Sequence, residues 1–208
     1  MSLKLYIAGP EVFLANAREI MDQKTALCRK YGFEAICPGD LDIPPAATKR
    51  GFGLAISKVD EDMMDSADGV IANLTPFRGI AADVGTCFEL GYMCAQGKLV
   101  AAYTNVAADH YQRTVDYYGG RTVDAADGQT RGPDGLSIED FDMFDNLMLH
   151  GGVERRGGHI AIHAAAPDAL YTDLTAFEQC LKALAGREPA MPRDEGKRPE
   201  ELDASNDD

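Results

Sequence analysis

Tryptophan is absent from the 208 residues, and bases are scarce: 20 lysines and arginines stand against 34 acids, a formal net charge of −14. Such a deficit repels a phosphate backbone, and no basic cluster offsets it, so no nucleic-acid polymer is expected as a partner. The five cysteines (Cys28, Cys37, Cys87, Cys94, Cys180) contain no Cys-x-x-Cys pair. An odd number scattered through apolar segments reads as reduced thiols acting as small hydrophobes, not as a disulfide framework. No apolar run approaches transmembrane length and no signal-peptide pattern is present, so a cytoplasmic location without a membrane partner is expected. Histidines number only four, and His159 and His163 flank Ile160 and Ile162 in a strand-like pattern. Without acids or cysteines at ligand spacing, neither a metal nor another cofactor is expected. Ser-His-Asp arrangements and P-loop patterns are missing too.

What is present reads as one globular domain. Hydrophobic residues make up 45% and charged residues 26% of a chain long enough to bury a full core. Leu3 to Ala8 is a short apolar run ending at Gly9-Pro10, a strand meeting a turn. From Asn16, paired with Glu19 as a capping box, a helical spacing runs through Ala17, Ile20, Met21, Lys24, Leu27, Cys28 and Tyr31 until Gly32. Phe33 to Cys37 is a second strand, followed by a Gly/Pro-rich loop from Gly39 to about Gly53. A helix with Leu54, Ile56, Val59, Met63 and Met64 inward leads to a third strand at Val70–Leu74. A helix around Glu89 and a fourth strand at Leu99–Tyr103 complete the alternation.

Four strand–helix alternations with short connections predict an α/β fold: a parallel sheet covered by helices on both faces, of the flavodoxin or Rossmann kind. Ligands bind at the carboxyl ends of such strands, so Tyr6–Pro10, Pro38–Asp42, Asn73–Asp83 and the loop after Tyr103 should share one rim. Residues 106–140 are polar and Gly/Asp-rich, a long surface excursion of the lid or binding-loop kind. A strand-like segment at His159–His163 and a closing helix from about Asp168 to Ala185 follow. The domain is expected to span residues 1–186. The remaining residues 187–208, with eight acids, four bases and three prolines, read as a disordered acidic tail.

Glu89 is the candidate reactive residue. Its helical neighbours three and four positions away are Gly85, Thr86, Tyr92 and Met93, none of which can pair with its charge. A carboxylate losing hydration on an apolar surface without compensation marks a functional site, although a long acid can also snorkel to solvent from a half-buried helix.

Four blocks carry a resemblance. They are Tyr6-Ile7-Ala8-Gly9-Pro10-Glu11-Val12-Phe13; Asp68-Gly69-Val70-Ile71-Ala72-Asn73-Leu74-Thr75-Pro76-Phe77-Arg78-Gly79; Asp83-Val84-Gly85-Thr86-x-x-Glu89-Leu90-Gly91; and Asn146-Leu147-Met148. Together, in this order, they resemble the nucleoside 2-deoxyribosyltransferase family over roughly residues 3–185. The resemblance implies exchange of the nucleobase of a 2′-deoxynucleoside through a covalent deoxyribosyl-enzyme intermediate with net retention, the substrates being a deoxynucleoside and a free nucleobase. Glu89 matches the family nucleophile. Such chemistry suits a carboxylate, which can stabilise an oxocarbenium-like transition state and collapse onto it. Phe88 and Leu90 beside it would keep water away.

By the same resemblance, Tyr6 orients the nucleophile and Asp83 serves the departing base. From the residues alone, Tyr6 is equally a core aromatic and Asp83 a helix N-cap. Asp60 falls at the register of another base-contacting acid, or with Glu61 and Asp62 on a solvated helix face. Asn146 matches an asparagine that reaches the sugar from a neighbouring subunit, which implies a homodimer or larger homo-oligomer; a capping role is the plain alternative. Arg78 either orders the loop over the site or is a surface cation, and Gly9 and Gly85 allow close backbone approach to a ligand.

The chain departs from the family pattern in two places. The Gly39–Gly53 loop lacks a clear counterpart of the base-contacting glutamine some members use, and the 106–140 excursion is long. Three other functions fit parts of the pattern: an N-glycoside hydrolase acting on deoxynucleosides or their 5′-monophosphates, a phosphoribohydrolase, and a non-catalytic nucleotide sensor. The second would need a Pro-Gly-Gly before Gly85-Thr86-x-x-Glu89, which is absent. The third has no need of a desolvated nucleophile.

Overall fold

The computed structural model describes residues 2–187. Five strands form one sheet in the order β2-β1-β3-β4-β7, with every neighbouring pair parallel. They are β1 (Leu3–Ala8), β2 (Phe33–Ile36), β3 (Gly69–Asn73), β4 (Leu99–Thr104) and β7 (His159–Ile162). The chain steps from β1 outward to β2 and then returns to place β3 on the other side of β1. The crevice between the carboxyl ends of β1 and β3 is therefore where helices diverge to opposite faces and a ligand can enter.

Strand pleating divides the core. Leu5 and Ile7 of β1 face helices α1 (Ala17–Lys30) and α6 (Thr175–Leu184), in one cluster with Phe33, Tyr103 and Phe177. Tyr6 and Ala8 point the other way, toward α2 (Lys49–Ser66), α3 (Val84–Ala95) and α5 (Leu147–Glu154), and pack with Met64, Leu90 and Val153. The α/β architecture with both faces covered is thus as expected.

Several local expectations fail, each for a physical reason. Asn16 makes no side-chain cap to α1, because its backbone does not take the extended cap conformation. Leu54 and Ile56 do not face inward but are 54% and 36% exposed, since the first half of α2 runs clear of the sheet, whereas Met63 and Met64 are buried in the core and Val59 packs against it. The closing helix begins at Thr175, whose amide is capped by the Asp173 carboxylate at 2.8 Å, not at Asp168. Residues 106–140 are not a plain loop: α4 (His110–Tyr117), capped by Asp109, is followed by a two-stranded hairpin, β5 (Val123–Asp124) and β6 (Thr130–Arg131). Of the anticipated acidic tail, residues 188–208 lie outside the described residues. Among the described residues no helix is long and apolar enough to cross a membrane.

At the carboxyl rim of the sheet the core holds charge. Glu11, in the 3-10 turn Pro10–Phe13 after β1, and Lys24 of α1 are both fully buried and paired with each other. The same Glu11 Oε1 accepts hydrogen bonds from Asn73 Nδ2 (2.8 Å) and the Tyr103 hydroxyl (2.9 Å), while Lys24 Nζ lies 5.1 Å from the Phe177 ring centre. Glu11 Oε2 has no hydrogen-bond partner among the described residues. A Cβ added to Gly9 would sit 2.0 Å from that oxygen and 2.9 Å from Asn73 Cβ, so the turn is closed to any side chain at position 9. Removing one ion from such a pair leaves the other uncompensated. Lys24→Met should lower the unfolding free energy by about 3–5 kcal/mol in urea denaturation, and Lys24→Met/Glu11→Leu should lose less than the sum of the two single changes. Additive losses would show that the two charges do not depend on each other.

Candidate active site

Helix α3 starts where the chain leaves the loop after β3. Asp83 is its N-cap: Oδ2 accepts from the Thr86 amide at 3.0 Å and from the Thr86 hydroxyl at 3.2 Å. Gly85 follows in the first turn, where an added Cβ would meet Asp83 Oδ2 at 3.0 Å, so a side chain there would crowd the cap. Glu89, the one acid within the helix, is carried to the crevice between β1 and β3. There the hydroxyl of fully buried Tyr6 donates a 2.8 Å hydrogen bond to Glu89 Oε1.

The electrostatics are those of a carboxylate short of counter-charge. Burial pushes the Glu89 carboxyl up to about 7; the Tyr6 hydrogen bond opposes this, and the nearby charges of Asp60 and Asp83 add to it. Among the described residues no cation lies within ion-pair distance of Glu89. Burial, then the Glu89 charge, drives the Tyr6 phenol far above its ordinary range, so Tyr6 is a permanent donor. Asp60 is also raised, by burial.

These groups line a cleft of about 560 Å³, a volume suited to a nucleoside-sized ligand. Glu89, Asp83, Gly85 and Thr86 of α3 line it with Asp60 and Ile56 of α2; Gly9, Phe13, Arg18 and Met21 line it from the turn and α1; Pro38, Gly39 and Ile43 line it from the loop after β2. Six of the eight sequence-derived candidates, Tyr6, Gly9, Asp60, Asp83, Gly85 and Glu89, therefore meet at one place, five in the lining and Tyr6 through its bond to Glu89.

The other two do not line the cleft. Arg78, exposed and with a left-handed backbone (φ 53°), lies 4.6 Å from the Phe77 ring centre and 5.1 Å from that of Phe13. Phe77 in turn stacks on Phe13 at 5.2 Å, so Arg78 acts on the cleft wall through the aromatic that forms it. Asn146 caps α5, its Oδ1 accepting from the Met148 amide at 3.0 Å and its Nδ2 donating to Glu139. Beside it Met148 is 71% exposed.

Leu90 is buried, whereas Phe88 is largely exposed and lines a smaller adjoining pocket together with Glu89. Phe13, Arg18 and Ile56 had no assigned part. Phe13 lies inside a motif block, whereas nothing in the local pattern singles out Arg18, whose guanidinium is held by Asp22 (2.6 Å) and Asp40 (3.2 Å). Among the described residues no three His, Cys, Asp or Glu side chains converge closely enough to hold a metal ion.

The family model described as nucleoside 2-deoxyribosyltransferase matches residues 5–148. An uncharacterised protein of Schizosaccharomyces pombe, C191.05c, is 31% identical over 194 residues, covering 88% of this chain and 89% of its own. A solved 2-desoxiribosyltransferase from Leishmania mexicana shares 30% identity with a TM-score of 0.56, over 83% of this chain and 96% of its own. A conserved protein from Enterococcus faecalis shares the fold, with a TM-score of 0.50 and 17% identity over 88% of this chain and 98% of its own. The chain belongs to the nucleoside 2-deoxyribosyltransferase family, an enzyme family acting on small nucleoside substrates.

The raised Glu89 carboxyl links folding to pH. Between the unfolded value near 4.3 and the folded value near 7 the native state binds the extra proton, so this group's favourable contribution is complete at low pH and is lost as pH rises through 7. Glu89→Gln, which keeps the shape without the charge, should gain stability over the parent above pH 7 and match it near pH 4. Thermal melts of both proteins from pH 4 to 9 test this; curves that stay parallel throughout would mean that Glu89 titrates normally.

Proposed function

We propose that the protein transfers the deoxyribosyl group of a 2′-deoxynucleoside from one nucleobase to another, with Glu89 as the nucleophile. The observation that carries this reading is the 2.8 Å Tyr6–Glu89 hydrogen bond, made where no cation among the described residues pairs with the carboxylate. In the first half-reaction Glu89 attacks C1′ and the C1′–N bond breaks, its electron pair leaving with the base. The ring nitrogen takes a proton from an acid lining the cleft, in the role we assign to Asp83 with Asp60 beside it. The Glu89–C1′ ester is then opened by a nitrogen of the incoming base, which loses its proton to the same acid.

Tyr6 holds the attacking oxygen in place and remains protonated throughout. A 2′-hydroxyl would disfavour the oxocarbenium-like state inductively and crowd Glu89, which supports deoxyribosides as substrates. Three carboxylates against one already paired arginine also favour an uncharged nucleoside over a 5′-monophosphate. We assign Asn146 to the cleft of a neighbouring copy, since its own chain's cleft does not include it.

Incubation with deoxyinosine should yield deoxyadenosine when adenine is present and only slow hypoxanthine release when it is not. A 2′-fluoro substrate should leave its sugar on the peptide carrying Glu89, and Glu89→Ala should abolish both adduct and exchange. Hypoxanthine release at one rate with or without adenine, and no new nucleoside, would make the protein a hydrolase. Mixing inactive Asn146→Ala with inactive Glu89→Ala should restore activity through hybrid sites, up to about a quarter of the parental rate for statistical pairing in dimers. No recovery despite demonstrated subunit exchange would return Asn146 to its own chain.

A further inference from the structure

The loop from Thr75 to Ala82 delivers Asp83 to the cleft, and it is held from outside the sheet. Arg113, on α4 in the long segment after β4, is buried, as is Asp145 just before α5. Arg113 Nε donates to the Ile80 carbonyl at 2.8 Å, Nη1 to the Ala108 carbonyl at 2.7 Å, and Nη2 to Asp145 Oδ2 at 3.3 Å. Asp145 Oδ2 also accepts from the Ala82 amide at 2.9 Å, and its Oδ1 accepts from the Asn146 amide at 2.8 Å. A planar guanidinium with donors in fixed directions, meeting a carboxylate that is itself saturated, defines position more narrowly than packing does. One side of this joint is the backbone beside Asp83; the other is the backbone of the residue that caps α5.

We infer that Arg113 and Asp145 are positioning residues: they set the place of Asp83, and with it the N-cap of the helix bearing Glu89, and hold that place in register with Asn146. Neither lines the cleft, so neither touches substrate. The excursion at 106–140 accordingly serves as the brace of the cleft's acidic wall. α4 is fixed in turn by the His110 amide donating to the Met143 carbonyl at 2.8 Å, which closes the brace on the segment leading to Asp145. Cutting the Arg113 fork should free Ile80 to Asp83 while leaving the five strands as they are. This rests on the role assigned to Asp83 above.

The test combines a readout that needs no turnover with one that does. Arg113→Lys keeps the charge but cannot form the fork. In the full-length protein, amide exchange at Ala82 and Thr86 should accelerate about tenfold or more in Arg113→Lys, with strand amides of β1 and β3 unchanged. Exchange at Ala82 and Thr86 equal to the parent would overturn the inference. Well below the melting temperature, Arg113→Lys should lower kcat/KM for base exchange by about tenfold, and add almost nothing in an Asp83→Ala background. An undiminished tenfold loss in that background would likewise overturn it, because the pair would then act elsewhere. A parent protein that turns over no deoxynucleoside would sink the functional reading, while the exchange measurement would still decide the brace. Should Arg113→Lys fail to fold, Asp145→Asn, which retains an acceptor oxygen, takes its place in both measurements with the same expected outcomes.

Discussion

Four elements at the carboxyl rim of the sheet meet on one oxygen atom. Glu11 Oε1 receives Lys24, Asn73 and Tyr103, and so ties the turn after β1 to α1, β3 and β4 at the end of the sheet where a ligand enters. Stripping water from a carboxylate is expensive, and only a full set of donors makes it tolerable. The cleft contains the opposite case a short distance away. Glu89 has one donor and no cation, so it remains under-solvated, and its raised proton affinity is the measure of that.

The sheet topology explains why these groups could be brought together from distant parts of the chain. Tyr6 and Glu89 are 83 residues apart, yet one lies within a central strand and the other on the helix that follows its neighbour strand. A doubly wound sheet opens only where its winding reverses, and chemistry placed elsewhere on the rim would be covered. Fold likeness says nothing further about reaction, since many activities share this scaffold. The reading of this protein as a base-exchanging enzyme therefore stands on the polar groups in the crevice.

Much of the architecture was legible in the sequence because buried parallel strands are continuous apolar runs, as in Leu99–Tyr103, and need no partner to be recognised. Glu89 was legible for a related reason: an unpaired acid in an apolar helix conflicts with local chemistry, and such conflicts gather at sites; Tyr6 and Asp83 became candidates only through the family resemblance, since alone they read as a core aromatic and a helix cap. The errors share another cause. Leu54 and Ile56 keep helical spacing with Met63 but extend past the sheet that would cover them, and spacing carries no information about where a neighbour ends. Lys24 keeps the inward register of α1, yet its burial became intelligible only once Glu11 was placed opposite, thirteen residues earlier and across a turn. Arg18 reached the cleft through tertiary geometry alone, as did the Arg113–Asp145 joint that ties an outlying helix to the loop before α3.

The carboxylate of Glu11 occupies the volume that a side chain on Gly9 would need. In heredity the two positions therefore behave as one locus. A lineage cannot acquire alanine at position 9 while glutamate remains at 11, and one that shortens residue 11 strands Lys24 without its counter-ion. Change at this corner of the fold must begin with residues 11 and 24 together, and only then can position 9 follow, which makes it slow to drift.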